Sequence, residues 1–84
     1  MFLHVTSVSY VAPYRLRLQF GDDIAKEVDL SEELYGQVFE PLKDAEFFRQ
    51  VRLNFETGTI EWSNGADFAP EFLYEIGREV KQII

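Results

Sequence analysis

The chain has 84 residues, which is room for one domain spanning residues 1–84, and it contains no cysteine. The lack of cysteine excludes disulfides, thiolate nucleophiles and cysteine-ligated metals, and it favours a reducing compartment. Hydrophobic residues make up 46% of the sequence and aromatic residues 15%, a composition that excludes intrinsic disorder. The formal net charge of -7 opposes the binding of nucleic acid and anionic lipid.

The basic residues are spread along the chain and form no cluster, so we do not expect this domain alone to bind nucleic acid. The N-terminus lacks the basic region and the apolar stretch of a signal peptide. No run approaches the roughly 18 apolar residues that a membrane helix needs. We therefore expect a cytoplasmic protein with no membrane association.

Three strands are predicted first. Residues 3–11 are rich in β-branched and aromatic side chains, and apolar residues on both faces predict a β-bulge or burial on both sides. Residues 14–20 alternate between apolar and polar side chains, and a turn at residues 21–23 leads into a return strand over residues 24–30.

A three-residue turn fixes the register of this hairpin. Arg17 then lies opposite Glu27, and Arg15 lies opposite Asp29, so that opposite charges meet on the outer face. Lys26 falls on the apolar face, where we expect its stem to be buried and its ammonium group to reach the sheet edge.

Short helices are predicted in the middle of the chain. Ser31 is a predicted N-cap with acidic residues behind it, and Asp44 is predicted to cap a second helix over residues 45–50. A second hairpin follows, in which the apolar pattern pairs Phe55 with Ile60.

The last predicted element is a helix over residues 70–83, opened by Pro70. Gly77 lies inside its apolar stripe, which we attribute to close approach of an aromatic ring, with Trp62 as the candidate. The architecture is therefore α+β: two layers, with a mostly antiparallel sheet (β-β-β-short helices-β-β-α) and a C-terminal helix packed on one face.

The sequence offers no catalytic, cofactor-binding or metal-binding constellation. His4 is the single histidine, and the five glycines are too far apart to form a phosphate loop. The adjacent carboxylates match a turn, a helix start and a solvated helix face better than acid–base catalysis. We therefore expect a non-enzymatic domain without a cofactor.

The densest set of distinctive residues is 62–71. Asn64 is explained by a turn and Asp67 by a helix cap or an Asx-turn, or alternatively both belong to a polar recognition point at the end of the sheet. On the predicted helix, Glu71, Glu75 and Glu79 form an outward row. These five residues are the candidate interaction residues.

Four segments resemble the small bacterial family called domain of unknown function 2442: residues 14–18 (YRLRL), 28–31 (VDLS), 38–44 (VFEPLKD) and 62–71 (WSNGADFAPE). The resemblance covers most of residues 4–75. It implies an α+β fold and a prokaryotic cytoplasmic protein, but no established activity. Some members of the family look like an N-terminal module before a helix-turn-helix domain. Others are encoded beside a small partner, in an arrangement similar to toxin–antitoxin pairs.

Because the sequence ends at Ile84, we expect no appended DNA-reading domain and favour partner binding. The leading hypothesis is a protein-interaction module, antitoxin-like or regulatory, that meets a basic protein encoded nearby. The alternatives are a small-ligand sensor with a pocket near Asn64 and Asp67, and a DNA-binding regulator. Self-association to a homodimer is also expected, through Ile83 and Ile84 or through the second apolar face of the first strand.

Overall fold

The computed structural model describes residues 3–80. The elements, in chain order, are β1 Val5–Ala12, β2 Arg15–Phe20, β3 Ala25–Asp29, a 3₁₀ helix Glu40–Lys43, α1 Ala45–Phe48, β4 Arg52–Asn54, β5 Thr59–Glu61, α2 Pro70–Ile76 and β6 Arg78–Glu79. A four-stranded antiparallel sheet has the order β1-β2-β3-β6, and β4 and β5 form a second, two-stranded sheet. The predicted α+β class is confirmed.

The first three strands form the meander that the sequence predicts. The register of β1 shifts twice, between Val5 and Ser7 and between Tyr10 and Ala12, which confirms the expected irregularity.

In the β2–β3 hairpin, Arg17 faces Glu27 and Arg15 faces Asp29, as predicted. The charged groups of these two pairs lie 3.5 and 3.8 Å apart. Most of these side chains are substantially exposed, so each pair contributes only about 0.2–1 kcal/mol.

The core lies on one face of this sheet. Alternation along β2 turns Leu16, Leu18 and Phe20 inward, where they have no solvent exposure. Leu73 of α2 and Trp62, which follows β5, close the core from the other side. The Trp62 indole Nε1 donates a hydrogen bond of 2.9 Å to the carbonyl oxygen of Phe48, so its burial leaves no donor unsatisfied.

The predicted helix after Ser31 does not form. The Ser31 backbone N–H instead donates to the Asp29 carboxylate at 2.9 Å. This bond forms a turn over residues 29–31, and Ser31 does not act as a helix N-cap. The prediction for Asp44 is confirmed, because its carboxylate accepts from the N–H of Glu46 at 3.0 Å. The helix that it caps ends at Phe48.

The predicted register of the second hairpin is wrong. Ile60 pairs with Leu53, not with Phe55. Asn54 closes a four-residue loop by accepting the N–H of Gly58 on its carbonyl oxygen at 2.8 Å and the N–H of Glu56 on its side chain at 2.9 Å. This loop turns Phe55 outward, with 83% of the residue exposed.

The predicted helix over residues 70–83 is also wrong beyond Ile76. Gly77 has extended backbone angles, and the chain returns as β6, which adds to β3 with Glu79 opposite Lys26. Without β6, the backbone groups on this edge of β3 would be unpaired. The hydrogen bonds between β3 and β6 satisfy them, and the chain forms these bonds instead of continuing the helix. Glu79 therefore lies on a strand and not on a helical row. Residues 81–84 of the predicted helix and tail lie outside the described part of the chain.

Gly77 does allow a close approach, but to Lys26 and not to Trp62. A Cβ atom on Gly77 would lie 3.0 Å from the Cβ of Lys26. The ammonium group of Lys26 donates to the Tyr74 carbonyl oxygen at 2.6 Å and lies 3.7 Å from the centre of the Tyr74 ring. Although Lys26 lies on the apolar face, its ammonium group therefore finds both a hydrogen-bond acceptor and an aromatic ring on α2. Between residues 3 and 80, no helix is long and apolar enough to cross a membrane.

Candidate functional site

An open groove of about 350 Å³ lies between two segments that are distant in sequence. One wall comes from the loop before the 3₁₀ helix, and the other comes from the start of α2 and the residues before it. Its lining is mostly aromatic with two carboxylates, and the residues concerned are Glu33, Tyr35, Phe39, Asp67, Phe68, Ala69 and Phe72.

Asn64 joins the two walls. Its side-chain Nδ2 donates to the carbonyl oxygen of Val38 at 2.9 Å, across 26 residues of sequence. Its Oδ1 accepts the N–H of Ala66 at 3.1 Å, which fixes the turn, and Gly65 takes the positive φ of 90° that this turn requires. Asn64 is therefore a positioning residue for the groove rather than part of its lining.

Asp67 lies on the rim of the groove, and the predicted helix cap is wrong. The N-cap of α2 is Ala69, and no side chain caps that terminus. Asp67 is instead held through its backbone, which forms an isolated antiparallel bridge with Glu61. Its carboxylate is exposed, so it is available to a bound molecule.

Phe68 is the floor of the groove. Its ring centre lies 4.8 Å from that of Phe39 and 5.9 Å from that of Phe72, with which it is stacked at 13°. Beneath it, Trp62 meets the Phe68 ring edge-on at 6.1 Å, and the Thr59 hydroxyl donates to the Phe68 carbonyl oxygen at 2.5 Å. A core tryptophan and a buried hydrogen bond therefore hold this aromatic surface in place.

The rim of the groove carries two carboxylates, and no basic residue of the described range 3–80 lines the groove beside them. None of the ion pairs found between residues 3 and 80 involves Glu33 or Asp67. The basic residues in those pairs are engaged elsewhere, and none lines the groove; they are Arg15, Arg17, Lys43, Arg49 and Arg52. An aromatic surface bordered by carboxylates suits a cationic group with an apolar stem.

The five predicted interaction residues have different positions. Asp67 is in the lining, Asn64 joins the walls, and Glu71 lies beside Phe72 in the first turn of α2. Glu75 is exposed further along α2, and Glu79 lies on β6. Of the five, the structure therefore places only Asp67 in the lining of the groove, with Asn64 as the link between its walls, and it leaves the three glutamates outside the lining.

A second concavity of about 200 Å³ lies on the outer face of the sheet. Three of its four charged residues compensate one another, since Arg15 lies 3.8 Å from both Glu27 and Asp29. The N–H of Ser31 lowers the pKa of Asp29 by hydrogen bonding to the carboxylate. These contacts stabilise the strand pairing, and the fourth charged residue, Arg78, is in none of the ion pairs found between residues 3 and 80.

The other perturbed groups have structural partners. Desolvation raises the pKa of Asp22, but hydrogen bonds from Ile24 and the Tyr74 hydroxyl outweigh it, so the pKa is lowered. The same bond to Asp22 raises the pKa of Tyr74. Within residues 3–80, no group of three or more His, Cys, Asp or Glu side chains could hold a metal ion.

Sequence reasoning missed most of the groove. None of Tyr35, Phe39 and Phe72 is among the predicted interaction residues, and Glu33 is one of the acidic residues behind the predicted N-cap Ser31, where no helix forms. One usable signal was Tyr35 next to Gly36, an aromatic residue beside a glycine in a segment with no strand pattern. Its exposure of 69% follows from the loop that forms there.

Comparison with known proteins gives one result. The family model described as "Protein of unknown function (DUF2442)" matches residues 5–79. No curated protein and no solved structure matches the chain. Since the family model covers nearly the whole chain, from the first strand to the last, this protein belongs to the DUF2442 family.

Proposed function

We propose that this domain is a protein-interaction module that binds a basic segment of a partner protein in the groove beside α2. The observation that carries the proposal is the aromatic floor bordered by carboxylates that have no basic neighbour in the lining. The rings of Phe39, Phe68 and Phe72 in the lining offer apolar contact, and the carboxylates of Glu33 and Asp67 offer charge.

Lysine and arginine match this surface chemically. Their aliphatic stems lie along apolar surface while the charged group remains in water or pairs with an acid. A cation over an aromatic face adds about 0.5–1 kcal/mol at an exposed site. The net charge of -7 attracts a positively charged partner at long range and speeds its association, and it repels a negatively charged one.

The partner proposed is a basic protein encoded nearby, and an antitoxin-like or regulatory role follows if binding masks that protein's active surface. Coexpression with the product of the neighbouring gene, followed by calorimetry of the purified pair, tests this identity. A neighbouring protein that stays unbound removes the antitoxin-like role and leaves the groove proposal to the peptide experiment below.

A small-ligand sensor is the second candidate, and the volume of the groove favours it. About 350 Å³ lies within the range of small-molecule sites, and the same chemistry would select a cationic molecule. A thermal-shift screen of cell metabolites tests this: selective stabilisation by a cationic compound, abolished by Phe72→Ala, would establish it. A DNA-binding regulator has no support from the charge distribution around the groove.

The decisive experiment is binding to an array of short peptides that differ only in charge. We expect lysine- or arginine-containing peptides to bind and acidic ones not to bind. The variant Glu33→Gln with Asp67→Asn should bind about tenfold more weakly. The variant Glu75→Gln with Glu79→Gln makes the same change in net charge outside the groove and should bind normally. Equal binding by the two variants would refute the groove as the site.

A further inference from the structure

β1 is one of the two edge strands of the four-stranded sheet, and β6 is the other. The hydrogen bonds of β2 show which backbone groups of β1 point away from the sheet. The Phe20 N–H donates to the carbonyl oxygen of Ile24 at 3.0 Å, and the Tyr14 carbonyl oxygen accepts the N–H of Leu30 at 2.7 Å, so both groups point toward β3. Even-numbered residues of β2 therefore turn their backbone groups toward β3, and odd-numbered ones turn them toward β1.

Ser7 and Ser9 of β1 lie opposite odd-numbered residues of β2, so their backbone groups face β2. The N–H and C=O groups of Val8 and Tyr10 consequently point away from the sheet. Among residues 3–80, no backbone group of a loop or of another strand is found bonded to the outward backbone groups of Val8 or Tyr10. β1 thus presents two unpaired donors and two unpaired acceptors in a row.

Between its two irregularities, this edge lacks the side chains that usually protect a sheet edge. Charged side chains and proline normally block pairing at an edge, but the β1 sequence VTSVSYVA contains neither. The edge is closed at one end, where the N–H of Val5 donates to Gly58 at 2.7 Å. Together with the two register shifts, this contact confines the open stretch to residues 7–10.

We propose that this open stretch of β1 pairs antiparallel with the same stretch of a second copy of the chain, joining the two sheets into one. An antiparallel edge is self-complementary about a two-fold axis. With the axis at Ser9, the backbone of Val8 bonds that of Tyr10 in the second copy, and the reverse bonds form symmetrically.

The side chains also fit this register. Val8 faces Tyr10 of the second copy, and a β-branched residue opposite an aromatic one is a favourable cross-strand pair. The two Ser9 side chains face each other at the axis and are small enough for close approach. β1 itself carries no charged side chain, so no like charges from the two strands face each other and no carboxylate of the strand favours a basic partner. The Arg49 guanidinium lies 5.1 Å from the centre of the Tyr10 ring, and this positive charge disfavours a basic partner at the edge. The short paired stretch makes this a concentration-dependent dimer, independent of the groove.

A single cysteine tests the register, since the natural chain has none. At a pair without mutual hydrogen bonds the two Cα atoms lie about 4.5 Å apart, within disulfide reach, so Ser9→Cys should oxidise readily to a covalent dimer. Ser7→Cys is the matched control: its two copies would lie four residues apart, about 14 Å, beyond the roughly 7 Å limit for a disulfide. We expect Ser9→Cys to cross-link at least about tenfold faster; equal rates would overturn the proposal.

Mass measurement by analytical ultracentrifugation tests the reversible dimer. Val8→Pro removes one outward donor without removing a bond to β2, so its circular dichroism should stay normal while dimerisation weakens at least about tenfold. Gln37→Lys and Ser9→Lys make the same charge change, but only the second places two cations at the axis and should weaken the dimer. A natural chain that remains monomeric up to about 1 mM, or a dimer unaffected by Val8→Pro and Ser9→Lys, would overturn the proposal.

Discussion

The substitution Gly77→Ala distinguishes the observed end of α2 from a helix that continues beyond it. In a continuing helix, alanine would be favoured over glycine by about 1 kcal/mol. In the structure, the new Cβ atom would lie 2.9 Å from the carbonyl oxygen of Leu73 and 3.0 and 3.1 Å from the Cβ and Cδ of Lys26. The two cases predict opposite signs.

The magnitude follows from two opposing effects. Alanine restricts the unfolded chain, which stabilises by about 0.4–1 kcal/mol. Overpacking costs about 1–3 kcal/mol, and the Leu73 carbonyl belongs to the helix backbone and cannot move aside easily. We expect a net loss of about 0.5–2 kcal/mol in the free energy of unfolding.

Urea denaturation followed by the fluorescence of Trp62 is the assay, since this single tryptophan is 1% exposed. Gly77→Ala should lower the midpoint at an unchanged m-value. In a Lys26→Ala background the contact with Cδ is absent, so the loss should become smaller but keep its sign. A raised midpoint for Gly77→Ala in the natural background would refute the steric argument and support a continuous helix.

Three further outcomes are expected. Asn64→Ala removes the bond between the groove walls and should cost about 1–2 kcal/mol in urea denaturation while weakening peptide binding; unchanged binding would contradict its role. Phe55→Ala should change the free energy of unfolding by less than about 0.5 kcal/mol, because Phe55 is exposed. A loss of about 3–5 kcal/mol, typical of a buried phenylalanine, would instead support the register in which Phe55 pairs with Ile60. Hydrogen bonds from Asn54, which has the largest effect, and from Arg52 lower the pKa of Glu61 from its ordinary 4.5. These bonds therefore stabilise the folded state fully above pH 4.5, and the stabilisation is lost as the pH falls below that value. Melting temperatures measured at falling pH should therefore drop less steeply for Glu61→Gln than for the natural chain, and parallel curves would contradict this.

The β1–β2–β3 meander could be predicted because its signals are local and agree with one another. Strict alternation along β2 indicates which face is buried, and the short turn places Arg17 opposite Glu27. The charge pattern and the hydrophobic pattern therefore predict the same register. Asp44 was equally readable, because an N-cap acts within its own turn.

The errors arose where a distant segment competes with a local pattern. The apolar period after Pro70 is helical, but the backbone edge of β3 captures the chain after Gly77. In the second hairpin, Asn54 sets the loop length through its side chain and backbone, which hydrophobic alternation does not report. The groove was missed because its walls meet only after folding, through the bond from Asn64 to Val38.

The bond between Asn64 and Val38, 26 residues apart, makes the groove a property of the folded state alone. An unfolded chain has no groove, so anything that binds there draws the folding equilibrium toward the native form. At a concentration about a hundredfold above its dissociation constant, such an occupant adds about 2.7 kcal/mol to the free energy of unfolding. For a domain of this size that is a large share of the total. A domain with an occupied groove would then live longer in the cell than a free one, because it unfolds less often and is degraded more slowly by proteases.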